Sequence, residues 1–406
     1  MIKNIFTTIT NPRNRWRNIS FSELSELYIA SMLRNLAISI VGIFIPIYLY
    51  QANYSIVEIL FFFSIFYFSG IIGINHYIGK LVARYGPKHV MRISFPLHII
   101  SFIIFATTTN HFWPIWLMAI IFRVACSCYF LPHHVAFSKA KTSKHGGKQL
   151  GVLNIFEKIA GIVGPLLGGI VATIFGAQSI MIVSSIIFML AIIPLMLSRE
   201  PIKTNKKFSY RGLNIRKIRR HLLMNAIYNT ENGLKIWLWP LYIGIFIFTT
   251  NPYLNLGIVS TLGTIIAIFA AILVGKLVDS RHGHELLKFS AVLNAAAHVS
   301  RLLVTGFGSI VILNLVNEPT TVSYQMAFMK GYYDTVDEND EFRVAYVVLS
   351  EIVMDLLRGS VWLALTLAAL IFPNSLREVI TSGFVVAAIF SLLVLLQQFP
   401  ALAKRN

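Results

Sequence analysis

Apolar runs of about twenty residues alternate with short polar breaks along nearly the whole chain, which is the length an α-helix needs to cross a bilayer. Windows of this kind lie at 26–51, 55–78, 91–109, 112–136, 149–173, 177–198, 222–248, 254–275, 286–305, 308–331, 343–372 and 376–399. They predict twelve helical spans. A transmembrane barrel would instead alternate apolar and polar positions over shorter segments, and runs such as IIFMLAIIPLML, residues 186–197, do not.

The polar breaks fall into two kinds. Those at 52–54, 110–111, 174–176, 249–253 and 306–307 are short and lack Lys and Arg. Those after spans two, four, six and eight hold Lys80, Arg84, Lys88, Lys139, Lys141, Lys144, Lys148, Lys276 and Arg281, and the stretch 199–221 is the most basic. Because cytoplasmic loops retain Lys and Arg, both termini and 199–221 are expected on the cytoplasmic side. The formal net charge of +18 thus reads as topology, and dispersal over loops argues against nucleic-acid binding. Composition agrees: 56% hydrophobic and only 13% charged. The basic N-terminus lacks the small-residue cleavage site of a signal peptide.

The chain also repeats itself. Gly79-Lys80-Leu81-Val82 returns as Gly275-Lys276-Leu277-Val278, 196 positions later. Pro46 answers Pro240, Glu157 answers Glu351, and Ala136-Phe137 answers Ala327-Phe328. An all-α membrane protein of two six-span halves follows: a segment 1–25, a half 26–198, a linker 199–221, a half 222–399 and a tail 400–406.

The loop after span two, with Gly79, Leu81, Arg84, Gly86 and Lys88, resembles the Gly-x-Leu-x-Asp-Arg-x-Gly-Arg-Lys loop of the major facilitator superfamily. Ala83 stands where the family has Asp; in the second copy Asp279 is present and Ser280 displaces Arg281 and Gly283. The resemblance implies a twelve-span transporter in which these two loops, with Gly275, gate the cytoplasmic side. Arg123 in span four resembles the intramembrane Arg of proton-coupled members. Gly161, Gly164, Pro165, Gly168 and Gly169 in GIVGPLLGG resemble the signature of drug-type antiporters, although small residues also serve close helix packing in any bundle.

Ionisable residues inside spans cost about 2.5–3.5 kcal/mol each at the bilayer centre, so each needs a partner, water or a function. The candidates for solute binding or proton coupling are Arg34, Arg123, Glu157, Glu231, Glu318, Glu351, Asp355 and Arg358. Glu231 with Lys235 and Asp355 with Arg358 have spacings that permit local neutralisation on one helix face. Glu157 and Glu351 occupy matching places in helices that the resemblance assigns to a central cavity. At least one of Glu157, Glu351, Glu231 and Glu318 is expected to line the cavity and carry a coupling proton. Cys126 and Cys128 cannot bridge each other, and with His133 they spread around their helix, which argues against a metal site. No hydrolase, zincin or P-loop motif is present.

The reading is a monomeric multi-pass transporter of the inner (plasma) membrane, without cofactor and not an enzyme. It would work by alternating access as a proton-coupled exporter of a small organic solute, with the lipid bilayer as its other partner. An uptake symporter or facilitator for a small polar or anionic solute, and a non-transporting sensor on the same fold, remain alternatives.

Overall fold

The computed structural model describes residues 23–108, 111–140, 146–197, 208–278, 283–338 and 340–397. All regular structure among them is helical and groups into twelve spans. Span one is Glu23–Val41 and, after a tight turn at Gly42–Phe44, Ile45–Gln51. Span two is Ile56–Ser69, a widened turn at Gly70–Ile74, and Asn75–Tyr85. Spans three to six are Pro87–Ala106, Ile115–Ala140, Gly146–Phe175 and Gln178–Leu197. Span seven is Ile215–Tyr242 with a widened turn at Ile243–Ile247. Spans eight to twelve are Pro252–Val278, Gly283–Ser300, Phe307–Glu338, Arg343–Ile371 and Leu376–Leu393.

Several helices outrun their apolar windows, because a helix continues into polar residues once capped. Ser55 and Glu58 form a reciprocal cap at the start of span two, with Ser55 N–H donating to Glu58 Oε2 at 2.8 Å. Asn214 caps span seven through Lys217 N–H, so this helix starts inside the stretch expected as linker. Gly86, at φ 95°, makes the reversal from span two to span three in a conformation that favours glycine.

Seven of the spans (one to four, eight, eleven and twelve) are long and apolar enough to cross a membrane. Spans five and six are apolar over the shorter Ile159–Phe175 and Gln178–Pro194. Spans seven, nine and ten are more polar because they carry buried Glu231, Asn294, His298, Asn314 and Asn317.

The duplication seen in the sequence is visible in the packing. In the first half span one packs on five and six, three on four and six, and two on four. In the second half seven packs on eleven and twelve, nine on ten and twelve, and eight on ten. Each pairing has its counterpart. The halves meet along two seams, span two against eleven and span five against eight. At the first seam Phe63 meets Trp362 with ring centroids 4.6 Å apart, Ser64 Oγ donates to the Gly359 carbonyl, and a Cβ on Gly79 would fall 2.4 Å from Val348. These matched pairs make the two helices antiparallel along their length.

Glycines set the second seam. A Cβ on Gly169 would lie 2.7 Å from the Tyr253 carbonyl oxygen, and one on Gly257 would lie 2.5 Å from that of Pro165. Gly164 and Gly168 bring span five equally close to span one, with Ser39 Cβ and the Ile40 carbonyl oxygen 2.3 Å from the added carbons. Gly161 faces Thr264 at 3.5 Å.

Candidate functional site: a charged junction between the halves

The widened turn in span two exists because Gly73 takes φ 94° while Ile72 leaves helical geometry at ψ 42°. Such one-turn insertions often mark functional sites. Here the turn brings Asn75 to the seam, fully buried, where its Nδ2 donates to Asp355 Oδ2 of span eleven at 2.7 Å. Gly70 makes room for that carboxylate, since a Cβ on it would fall 2.1 Å from Asp355 Oδ2.

Arg123 of span four donates to the same oxygen through Nη2 at 2.6 Å. Its Nη2 also lies 3.4 Å from Asn75 Oδ1, which accepts from Ser127 Oγ at 2.9 Å. Glu351, one helical turn from Asp355, stands 3.6 Å from Arg123 and 3.9 Å from His134. His134 Nδ1 in turn meets the Tyr333 hydroxyl at 2.9 Å. Arg123 and Asp355 are 5% and 0% exposed, so the ion pair is out of water. Two of its polar atoms, Arg123 Nε and Asp355 Oδ1, have no hydrogen-bond partner. A buried pair so incompletely satisfied gives little net stability.

Asp355 thus turns to the opposite half, and not to Arg358 as its spacing allowed. The reason is reach: Arg358 is held by the Asn229 carbonyl at 3.0 Å and its side-chain oxygen at 3.2 Å, over the Tyr67 ring. Tyr67 OH accepts from Trp237 Nε1 at 3.1 Å.

Glu231 lies apart from this junction, inside the second half. His298 Nε2 meets its Oε1 at 2.5 Å and Asn294 Nδ2 donates to it at 3.1 Å. Arg301 Nη1 donates to His298 Nδ1, and because a guanidinium only donates, the imidazole hydrogen sits on Nε2 and goes to Glu231. Arg301 Nη2 continues to Asn317 Oδ1 at 3.3 Å, and Asn317 Nδ2 to Glu318 Oε1 at 3.2 Å. Glu231, His298 and Arg301 are each at most 1% exposed.

Arg34 of span one lies with its guanidinium 3.3 Å from the Tyr129 ring centre and 5.0 Å from that of Phe130. In the loop after span two, Lys88 is buried while the Arg84 guanidinium lies 5.2 Å from the Tyr85 ring. The side chain of Glu157, Asp279 and Arg281 lie outside the described residues, and of Gly275 and Gly283 only helical backbone is described. Beside the loop, Phe208 and Tyr210 of the linker pack on His76, whose Nδ1 is 3.1 Å from the Tyr210 hydroxyl. Burial pushes that hydroxyl above its ordinary pKa.

Of the eight sequence candidates, the structure assembles Arg123, Glu351 and Asp355. Asn75, Ser127 and Tyr333 were missed, while His134 belongs to the His133-His134 pair that closes the apolar window of span four. The Gly70-x-x-Gly73 spacing followed by an Asn in an apolar run was the available signal for Asn75.

The Major Facilitator Superfamily model matches residues 27–333. Comparison with curated proteins by sequence finds no match. Among solved structures, the nucleoside transporter NupG is similar over 95% of this chain and 100% of its own, with a TM-score of 0.65 and 11% identity. A bacterial homologue of the human drug peptide transporters PepT1 and PepT2 is similar over 92% and 96%, with a TM-score of 0.65 and 11% identity. With the repeated packing and the family match over most of its length, the chain belongs to the Major Facilitator Superfamily and has the fold of its multi-pass membrane transporters.

Proposed function

We propose that this chain is a proton-coupled secondary transporter for a small organic solute, in which Asp355 takes up and releases the coupling proton. It would work by alternating access in the inner (plasma) membrane, with both termini and the linker on the cytoplasmic side. The observation that carries the reading is the Arg123–Asp355 contact, which ties span four of one half to span eleven of the other at 2.6 Å. Protonating Asp355 cancels the charge that holds Arg123 and loosens the tie between the halves. A proton then changes the free energy of parting them, which is what coupling requires. Glu351, at 3.6 Å from the same guanidinium, is the second carboxylate of the centre. Glu231 is committed to His298 and takes no part.

Direction follows a second observation. The glycines of GIVGPLLGG are used in contacts with spans one and eight, so their drug-antiporter resemblance carries little weight for export. Neutralising Asp355 leaves Arg123 with one anionic partner, Glu351, in place of two, so a solute anion can take the vacated place. That favours proton and anionic solute moving together, as in a symporter.

The test is Asp355→Asn in proteoliposomes. Uptake driven by an imposed pH gradient should vanish while counterflow exchange of solute continues. Retained gradient-driven uptake would place the coupling proton elsewhere.

A further inference from the structure

Arg34 is 3% exposed, yet its Nε and Nη2 have no hydrogen-bond partner, and no ion pair joins it to a carboxylate among the described residues. Among the described residues its Nη1 donates to the neighbouring Asn35 Oδ1, at 2.9 Å. The guanidinium carbon lies over the Tyr129 ring, 3.3 Å from its centre, and His133 stacks against that ring at 5.4 Å and 19°. A stacked ring attracts a cation but leaves its in-plane N–H groups unanswered, and a desolvated, unanswered guanidinium is expensive.

The second half shows what the fold itself requires at this place. With the 194-residue offset that relates Glu157 to Glu351, Arg34 corresponds to Tyr228. At an offset of 195 Tyr129 and His133 correspond to Tyr324 and Phe328, four residues (about one helical turn) out of register with the match of Ala136-Phe137 to Ala327-Phe328, so the same helix face is compared. Tyr228 indeed stands on those residues, 4.0 Å and 7° from Phe328 and 5.2 Å from Tyr324. The same span-on-span stack is therefore built there from three rings and no charge. Packing does not demand a cation at position 34.

We propose that Arg34 is the anion-recognising residue of the solute site: its free Nε–H and Nη2–H edge takes a carboxylate, phosphonate or sulfonate group of the solute, with Tyr129 holding the guanidinium plane in place. That edge is the fork that binds two oxygens at once. Phe130, whose ring centre lies 5.0 Å from the guanidinium, is 43% exposed. Arg123, by contrast, is already engaged by Asp355. The inference rests on the transport reading for calling the anion a cargo, but it concerns a binding site separate from the coupling centre.

The experiment is equilibrium thermal unfolding of the purified full chain in detergent, with no proton gradient, so its outcome does not depend on coupling. Acetate, benzoate and methylphosphonate are titrated against the neutral acetamide and benzamide. At least one anion should raise the unfolding temperature in a saturable way, and its amide counterpart should not. Arg34→Tyr, which copies the second half, should unfold at a higher temperature without ligand and lose the anion response at least tenfold. Arg34→Lys should keep part of it. Four results overturn the proposal: no anion stabilises the wild type, amides act as well as anions, the response survives Arg34→Tyr, or that variant, folded, is no more stable than the wild type. If Arg34→Tyr does not fold, Arg34→Met is measured in its place by the same criteria. A wild-type anion response that fails to appear while Asp355→Asn still uncouples transport would sink this inference alone.

Discussion

Gly70 and Asp355, on spans from opposite halves, approach so closely that a methyl group on the glycine would overlap the carboxylate, 2.1 Å from Oδ2. Only a residue without a side chain allows the ion pair and the helix break to coexist.

Gly70→Ala should therefore displace Asp355 and lower gradient-driven transport at least tenfold. Overpacking of this kind typically costs about 1–3 kcal/mol, so the protein should still be recovered. Transport assays paired with thermal unfolding check it; a variant as active as the wild type would mean the seam opens readily at Gly70.

Asn75→Ala should separate positioning from charge. Asp355 would keep Arg123 but lose its amide donor, and a buried acceptor deprived of a donor costs about 1–3 kcal/mol. Coupled transport should fall while solute affinity, read by equilibrium binding, changes little. A selective loss of affinity would place Asn75 in the solute site.

Glu231→Ala should behave differently, as a stability mutation. It removes the negative charge that answers Arg301 through the neutral His298 in a dry bundle, where deleting one of two opposite buried charges costs about 3–5 kcal/mol. Folded yield should drop severely, while Glu231→Gln, which keeps the contact to His298 through its amide oxygen, should recover part of it. Normal yield of the Ala variant with lost coupling would return Glu231 to the coupling centre.

Gly168→Ala should weaken the other seam's neighbour contact, where the new carbon would meet the Ile40 carbonyl oxygen at 2.3 Å. A loss of about 1–3 kcal/mol is expected, seen as a lower unfolding temperature with gradient dependence intact.

Reporter fusions within 199–221 and at 249–253 should report opposite sides of the membrane. The same side for both would overturn the assigned topology.

Much of the architecture was legible in the residues. Twelve apolar windows, the duplicated Gly-Lys-Leu-Val and the offsets of Pro46 with Pro240 and Glu157 with Glu351 are local or periodic features, and they survive folding unchanged. The partners of the buried charges were not legible. Asp355 and Arg358 sit three apart on one helix, but their choice of Arg123 and Asn229 is decided by where spans four and seven lie. Glu231 met His298 from span nine for the same reason. Sequence spacing describes a single helix; ion pairs in a bundle are settled by its neighbours. The helix boundaries erred where caps such as Asn214 carried helices past the apolar windows.

The two seams differ in kind, and this has a mechanical consequence. Spans five and eight touch backbone to backbone through Gly169 and Gly257, with Thr261 Oγ1 donating to the Ile162 carbonyl, contacts that no titration can release. The seam of spans two and eleven is fastened in the middle by the Asp355 carboxylate, which holds Asn75 of span two and Arg123 of the neighbouring span four, and whose charge one proton would remove. A box with a permanent spine on one side and a chemical clasp on the other opens unevenly. The swing of the halves should therefore be largest beside Asn75 and Asp355 and smallest beside Gly169. Paired spin labels flanking each seam would show broad distance distributions at the first and narrow ones at the second.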